Sequence, residues 1–316
     1  MKLKGLIALA SVLALAGCAA PMPNPSSTDD GKLHIVTSTN VWADLVQTIG
    51  GDAVVVQSIV SNPNQDPHSY ELTPKDQLAI SKADFLIGAC NASDPFFRQA
   101  VGNKGFVCLA ENQSVTDNPH VWYSMRKMVD AAFSISGELS NLKPSAKDAF
   151  NANYHTFEQQ SGAILDTAIQ ELEKTQVTAS YVATESIANE LLNDLGLKDL
   201  TPLAVAQAGI NETDLSPIEL KQLQDSLVGS WLFAYNKSQE SGQTTFILNW
   251  LAEPLPCNDV SSKDLGNDQN VTAIVDCVGK ATPVGFYEQL PAGQHYLDWM
   301  KDNIHQIMVG LHLEQK

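Results

Sequence analysis

The chain has 316 residues, 44% of them hydrophobic and 17% charged, and a formal net charge of −17. That apolar content supports packed cores and excludes a wholly disordered chain, and the length suffices for two ordinary domains. The acidic balance, without a basic patch interleaved with aromatics, argues against nucleic-acid and anionic-membrane binding and weakly concentrates cations.

Lys2 and Lys4 precede an apolar run, Leu6 to Ala16, that is too short to span a bilayer as a mature helix. Leu15-Ala16-Gly17-Cys18 resembles a bacterial lipobox. The resemblance implies that residues 1–17 are a signal peptide and that Cys18 becomes the lipidated first residue. Residues 18–32, rich in Pro, Ser and Asp, are then a flexible tether. Export implies an oxidising setting in which Cys90, Cys108, Cys257 and Cys277 form structural disulfides. Four cysteines allow three pairings, and proximity favours Cys90–Cys108 and Cys257–Cys277.

The first ordered element is a strand from Leu33 to Ser38, followed by a helix over Val41 to Ile49 and a β-branched strand from Ala53 to Val60. A polar turn, Ser61 to Tyr70, leads to a helix that Thr73 or Pro74 opens and that runs to Lys82. Strands follow at Ala83 to Ala89 and Gly105 to Leu109. From Pro144 to about Lys174 apolar residues recur at helical spacing, among them Phe150, Phe157, Leu165 and Ile169. About 30 helical residues reach roughly 45 Å, long enough to join two lobes as a strut. Beyond it the spacing predicts strands at Thr178 to Thr184, Thr244 to Leu251 and Pro283 to Tyr287. It predicts helices at Ser186 to Leu195, Pro217 to Leu227, Asp268 to Lys280 and Tyr296 to Leu313. The expected fold class is α/β, with an N-terminal lobe (33–143) and a C-terminal lobe (177–316), each around a parallel sheet, joined by one long rigid interdomain helix (144–176).

Phosphate-binding, dinucleotide, zincin and α/β-hydrolase motifs are missing. Two histidines stand in matched settings, Asp66-Pro67-His68 and Asn118-Pro119-His120, each in a loop behind a strand. Proline fixes the backbone ahead of each imidazole, which suits a preorganised ligand, and ligands of parallel sheets bind beyond the carboxyl ends of strands. His34, His155, His295, His305 and His312 lie on elements or near the end and are read as structural or exposed.

With these residues in view, the chain from 33 to 316 resembles the metal-binding solute-binding lipoproteins of ABC importers for manganese, zinc or iron. DPHSYELTP resembles the family's first-ligand loop, NPHVW its second, the long helix its interdomain helix, and Tyr296-Leu297-Asp298-Trp299-Met300 the start of its last helix. The resemblance implies two more ligands in the C-terminal half. Glu185, in TESIANELLNDLGL, takes the place of the third. Glu288, in TPVGFYEQLP, takes the place of the fourth, where the family usually has Asp; Asp276 and Glu253 are weaker substitutes. Two neutral imidazoles and two carboxylates would balance a divalent cation. Carboxylates binding through both oxygens would favour manganese, as does the absence of histidine from residues 72 to 117, with zinc next. The resemblance further implies a monomer anchored at the extracytoplasmic face of the cell membrane, an importer permease as partner, and no enzymatic activity. A secreted metal-dependent hydrolase, or a surface adhesin or organic-solute-binding lipoprotein, is the alternative.

Overall fold

A computed structural model describes residues 31–110, 118–176, 178–211, 213–253 and 279–313. The signal peptide, Cys18, the tether up to residue 30, the Cys257–Cys277 pairing, Asp276 and residues 268–278 of the expected late helix lie outside the described residues. The elements described form one compact unit that begins at Lys32.

The first half runs β1 (Leu33–Thr39), α1 (Asn40–Gly50), β2 (Val54–Val60), α2 (Pro74–Lys82), β3 (Phe85–Gly88), α3 (Pro95–Ala100) and β4 (Phe106–Cys108). Its strands form one parallel sheet in the order β2-β1-β3-β4. Thr73 caps α2 in a reciprocal box with Asp76, and Pro74 occupies the first turn, where its missing N–H costs nothing. Val41, Trp42, Leu45, Val46 and Ile49 form the buried stripe of α1. A disulfide joins Cys90, just past β3, to Cys108 at the end of β4, as proximity in sequence suggests.

Then come α4 (Met125–Leu142) and α5 (Lys147–Lys174). The 28 residues of α5 span about 42 Å. They bury Phe150, Phe157, Leu165 and Ala168 and pack against α4, α1 and α10 (Tyr296–Gly310). The second half runs β5 (Ser180–Ala183), α6 (Asn189–Asp194), β6 (Lys198–Asp199), α7 (Leu203–Ile210), α8 (Pro217–Leu227), β7 (Leu232–Asn236), α9 (Gly242–Ala252) and β8 (Thr282–Phe286), before α10. The parallel order β6-β5-β7-β8 repeats the pattern of the first sheet. One continuous apolar core reaches from Ile35 and Trp42 through Phe157 to Phe286 and Trp299. No helix among the described residues is long and apolar enough to cross a membrane.

Three expectations need correction. The strand expected at Thr244 to Leu251 is the helix α9, started by Ser241, whose hydroxyl accepts the Thr244 N–H. An unbroken apolar run fits a strand and a packed helix alike, and here the cap decides. The sheet position is filled instead by β7, from a short run not read as an element; α3, α4, β6 and α7 also lie outside the expected elements. The helix expected from Ser186 begins at Asn189, leaving Glu185 in a loop. At the end of the expected 268–280 helix, Lys280 forms an antiparallel bridge with Val228.

Candidate metal centre

Both sheets present the carboxyl ends of their strands to the site. His68 follows β2 by eight residues, in a turn closed by Asp66: Oδ1 accepts the His68 N–H at 2.8 Å and Oδ2 accepts the Ser69 hydroxyl at 2.7 Å. His68 Nδ1 lies 2.8 Å from the Ala92 carbonyl. A carbonyl only accepts, so Nδ1 carries the proton and the lone pair sits on Nε2. His120 is arranged in the same way. Its Nδ1 lies 3.0 Å from Asn118 Oδ1, which also accepts the His120 N–H at 3.0 Å.

The two Nε2 atoms are 3.4 Å apart. Glu288, two residues past β8 and buried, brings Oε1 to 3.2 Å from His68 Nε2 and 4.0 Å from His120 Nε2. That oxygen accepts no hydrogen bond, whereas Oε2 receives Asn236 Nδ2 at 3.4 Å and Gln239 Nε2 at 3.3 Å. One ligand atom from each of His68, His120 and Glu288 lies within 4.8 Å of the other two, and no other group of this kind occurs among the described residues. Burial, and then the nearness of the His68 imidazole, which opposes a second proton, lowers the basicity of His120 well below its ordinary value and keeps it neutral and able to donate a lone pair. An N, N, O set of this kind suits zinc, iron or manganese and is poor in oxygen for calcium.

Glu185 stands apart from the three. It lies two residues past β5, partly buried, and its Oε2 accepts Asn236 Nδ2 at 3.1 Å. Asn236 therefore touches both carboxylates. Glu253, a weaker substitute, ends α9, where its carbonyl accepts the Lys280 ammonium at 2.7 Å. Two of the remaining histidines pair with acids away from the site, His155 with Glu158 at 3.1 Å and His295 with Asp44 at 2.7 Å.

Neighbouring hydrogen bonds hold the His120 loop. Asn91 Nδ2 donates to the Pro119 carbonyl at 2.9 Å, and Tyr296 donates its hydroxyl to the Trp122 carbonyl at 2.8 Å. Tyr123 donates to the carbonyl of Tyr287, next to Glu288, at 2.5 Å. Asn118 Nδ2 donates to the carbonyl of Ser186, next to Glu185, at 2.7 Å. Asn118 lies in the NPHVW motif, and its supporting role is legible from a polar residue two places ahead of a histidine. Asn236 and Gln239 carry no such signal.

The model of a family described as zinc-uptake complex component A, periplasmic, matches residues 35–310. The metal ABC transporter substrate-binding lipoprotein ScbA of Streptococcus cristatus is 28% identical over 175 residues, 48% of this chain and 56% of that one. The manganese ABC transporter substrate-binding lipoprotein scaA of Streptococcus gordonii is also 28% identical over 175 residues, with the same shares of the two chains. The matched part of the chain thus spans little more than half the length of these relatives. In fold, the chain is similar to the laminin-binding protein Lmb of Streptococcus agalactiae, described as having adhesin and metal-transporting activity. The TM-score is 0.69 at 18% identity, covering 88% of this chain and 99% of that one.

Proposed function

The chain belongs to the zinc-uptake complex component A family, and on that premise we propose that it captures a divalent transition-metal ion outside the cytoplasm and delivers it to the permease of an ABC importer. The observation that carries this reading is the convergence of His68 Nε2, His120 Nε2 and Glu288 Oε1, each within 4.8 Å of the others. The ligand set we assign is His68, His120, Glu288 and Glu185, two residues from each half. The role is capture and release, not catalysis. Four protein ligands leave no open position at which a bound water would be activated.

Manganese or zinc is the cargo. Manganese is supported by the similarity to the manganese transporter lipoprotein of Streptococcus gordonii and by the lack of histidine between residues 72 and 117. Zinc is supported by distance. Ligand atoms at tetrahedral zinc, bonded at about 2.0–2.1 Å, sit roughly 3.3 Å apart, and the separations of 3.4 Å and 3.2 Å at this site match that edge. The 4.0 Å separation must shorten on binding. We further propose that Cys18 anchors a monomer to the membrane and that the lobes meet the 144–176 helix as in the sequence-based division.

The test begins with metal-free protein. Added zinc or manganese at about 100 times its Kd should stabilise it by about 2.7 kcal/mol. No shift with any divalent transition metal refutes the reading, as does a full shift in the His68→Ala/His120→Ala double variant.

A further inference from the structure

Glu185, Asn236 and Glu288 stand at the same end of three neighbouring strands. In the order β6-β5-β7-β8 the middle position belongs to β7. Glu185 follows β5, Asn236 is the last residue of β7, and Glu288 follows β8. Asn236 is 2% exposed, so its amide is committed to these partners and not to solvent. An amide nitrogen has two hydrogens. One reaches Glu185 Oε2 at 3.1 Å and the other Glu288 Oε2 at 3.4 Å. Gln239 adds a second donor to the same Glu288 oxygen at 3.3 Å.

The amide is also held from behind. Asn236 Oδ1 accepts the Ser238 N–H at 2.8 Å, and Ser238 Oγ in turn accepts the Glu288 N–H at 3.1 Å. A flipped amide would lose the Ser238 bond and turn an oxygen toward two carboxylates. The turn from 236 to 239 is therefore a cradle of fixed polarity. One oxygen of each glutamate is engaged by an amide, and Glu288 Oε1 is the oxygen directed at both imidazoles.

We infer that Asn236 is a specificity-determining residue: by occupying Oε2 of both Glu185 and Glu288 it restricts each to one oxygen toward the cargo, fixes a four-coordinate site, and ranks zinc above manganese. The inference rests on the metal-capture reading. Zinc is satisfied by four N and O ligands in a tetrahedron, whereas manganese prefers about six, mostly oxygen. Two imidazoles and two one-oxygen carboxylates supply four. The same residues with both carboxylates chelating would supply six, and an Oε2 that already accepts from Asn236, and at Glu288 also from Gln239, has fewer lone pairs to offer for chelation. Outer partners of this kind alter metal affinity without touching the ion.

Two measurements on the full chain test it. Cobalt(II), which reports its own coordination, should show the intense visible absorption of a four-coordinate ion in the wild-type protein; the weak absorption of six-coordinate cobalt overturns the inference with no variant needed. Zinc and manganese affinities are then compared by calorimetry for wild type, Asn236→Ala and Gln239→Ala. Gln239 is exposed, so its variant tests the cradle where folding is not at stake. The zinc-over-manganese ratio should fall about tenfold in Asn236→Ala and by less, in the same direction, in Gln239→Ala. An unchanged ratio in both refutes this inference alone, whereas a wild-type protein that binds no divalent metal refutes the capture reading itself.

Discussion

Replacing Glu288 with Gln separates a metal ligand from a structural acid because the two roles move stability in opposite directions. The carboxylate is 3% exposed, and its Oε1 accepts no hydrogen bond. Leaving one such buried group unsatisfied costs about 1–3 kcal/mol. A glutamine of the same shape keeps an oxygen for Asn236 and Gln239, in the place of Oε2. Its amide nitrogen then faces the lone pair of His68 Nε2, 3.2 Å from the present oxygen, and donates to it. The metal-free variant should therefore be more stable than the wild type by about 1–2 kcal/mol, or roughly 2–5 °C in Tm for a body of this size. The stabilisation by zinc or manganese, about 2.7 kcal/mol at 100 times Kd in the wild type, should vanish. Scanning calorimetry in the presence of a chelator, repeated with each metal, measures both. A metal-free variant that melts below the wild type and still gains the full increment with metal would refute the reasoning.

Asn118→Ala should weaken metal binding by about 10–100-fold while sparing the fold, because His120 loses the partner that keeps the proton on Nδ1; titration calorimetry checks it, and unchanged affinity contradicts the assigned tautomer. The metal-free protein should lose stability as pH falls below 6.5: the unfolded chain takes up a proton there while the buried His120, its basicity lowered, does not. The slope from this group is at most about 1.4 kcal/mol per pH unit, and it should be absent in His120→Ala. His295 contributes with the opposite sign. The hydrogen bond and charge of Asp44 raise its pKa, so that contribution is present below 6.5 and is lost as pH rises through the raised value, an effect that His295→Gln removes. The Cys90→Ala/Cys108→Ala variant opens a link with a sequence separation of 18 and should lose about 3 kcal/mol in chemical denaturation. Its metal affinity should fall as well, since the freed segment carries both Ala92 and Asn91.

Legibility of the site followed the chemistry of each residue. His68 and His120 were visible because proline and a side-chain acceptor precede each imidazole, a local pattern that the backbone writes directly into sequence. Glu288 and Glu185 were visible only through resemblance, since an acid two residues past a strand has no local mark. Asn236 was hidden twice. Its strand is a five-residue run that competes with the longer apolar run of α9, and periodicity separates neither from the other. Its function depends on strand order, which places β7 between β5 and β8 and which no local pattern encodes. The strands and helices up to Leu109, apart from the short α3, and the long helix α5 are legible because period and length agree there. The helix α4 was not, although seven of its residues are buried as a stripe, because it begins directly behind the histidine motif.

Strand order also explains why the ligands are split between halves. Each parallel sheet offers only the loops beyond its carboxyl ends, and in the proposed ligand set one sheet supplies the imidazoles while the other supplies the carboxylates. The imidazoles are neutral and can be buried near each other without a counter-charge. The carboxylates would repel, and the structure separates them by interposing the amide of Asn236, which satisfies one oxygen of each. A divalent cation supplies what remains missing, a positive charge at Glu288 Oε1 and an acceptor for two lone pairs. Asn118 and Tyr123 already tie the His120 loop to the residues next to Glu185 and Glu288, so a bound ion needs a contraction of under about 1 Å at the His120–Glu288 edge and a larger approach by Glu185, which stands outside the 4.8 Å group. The amide cradle that holds Glu185 and Glu288 is then the part of the site left to discriminate between ions.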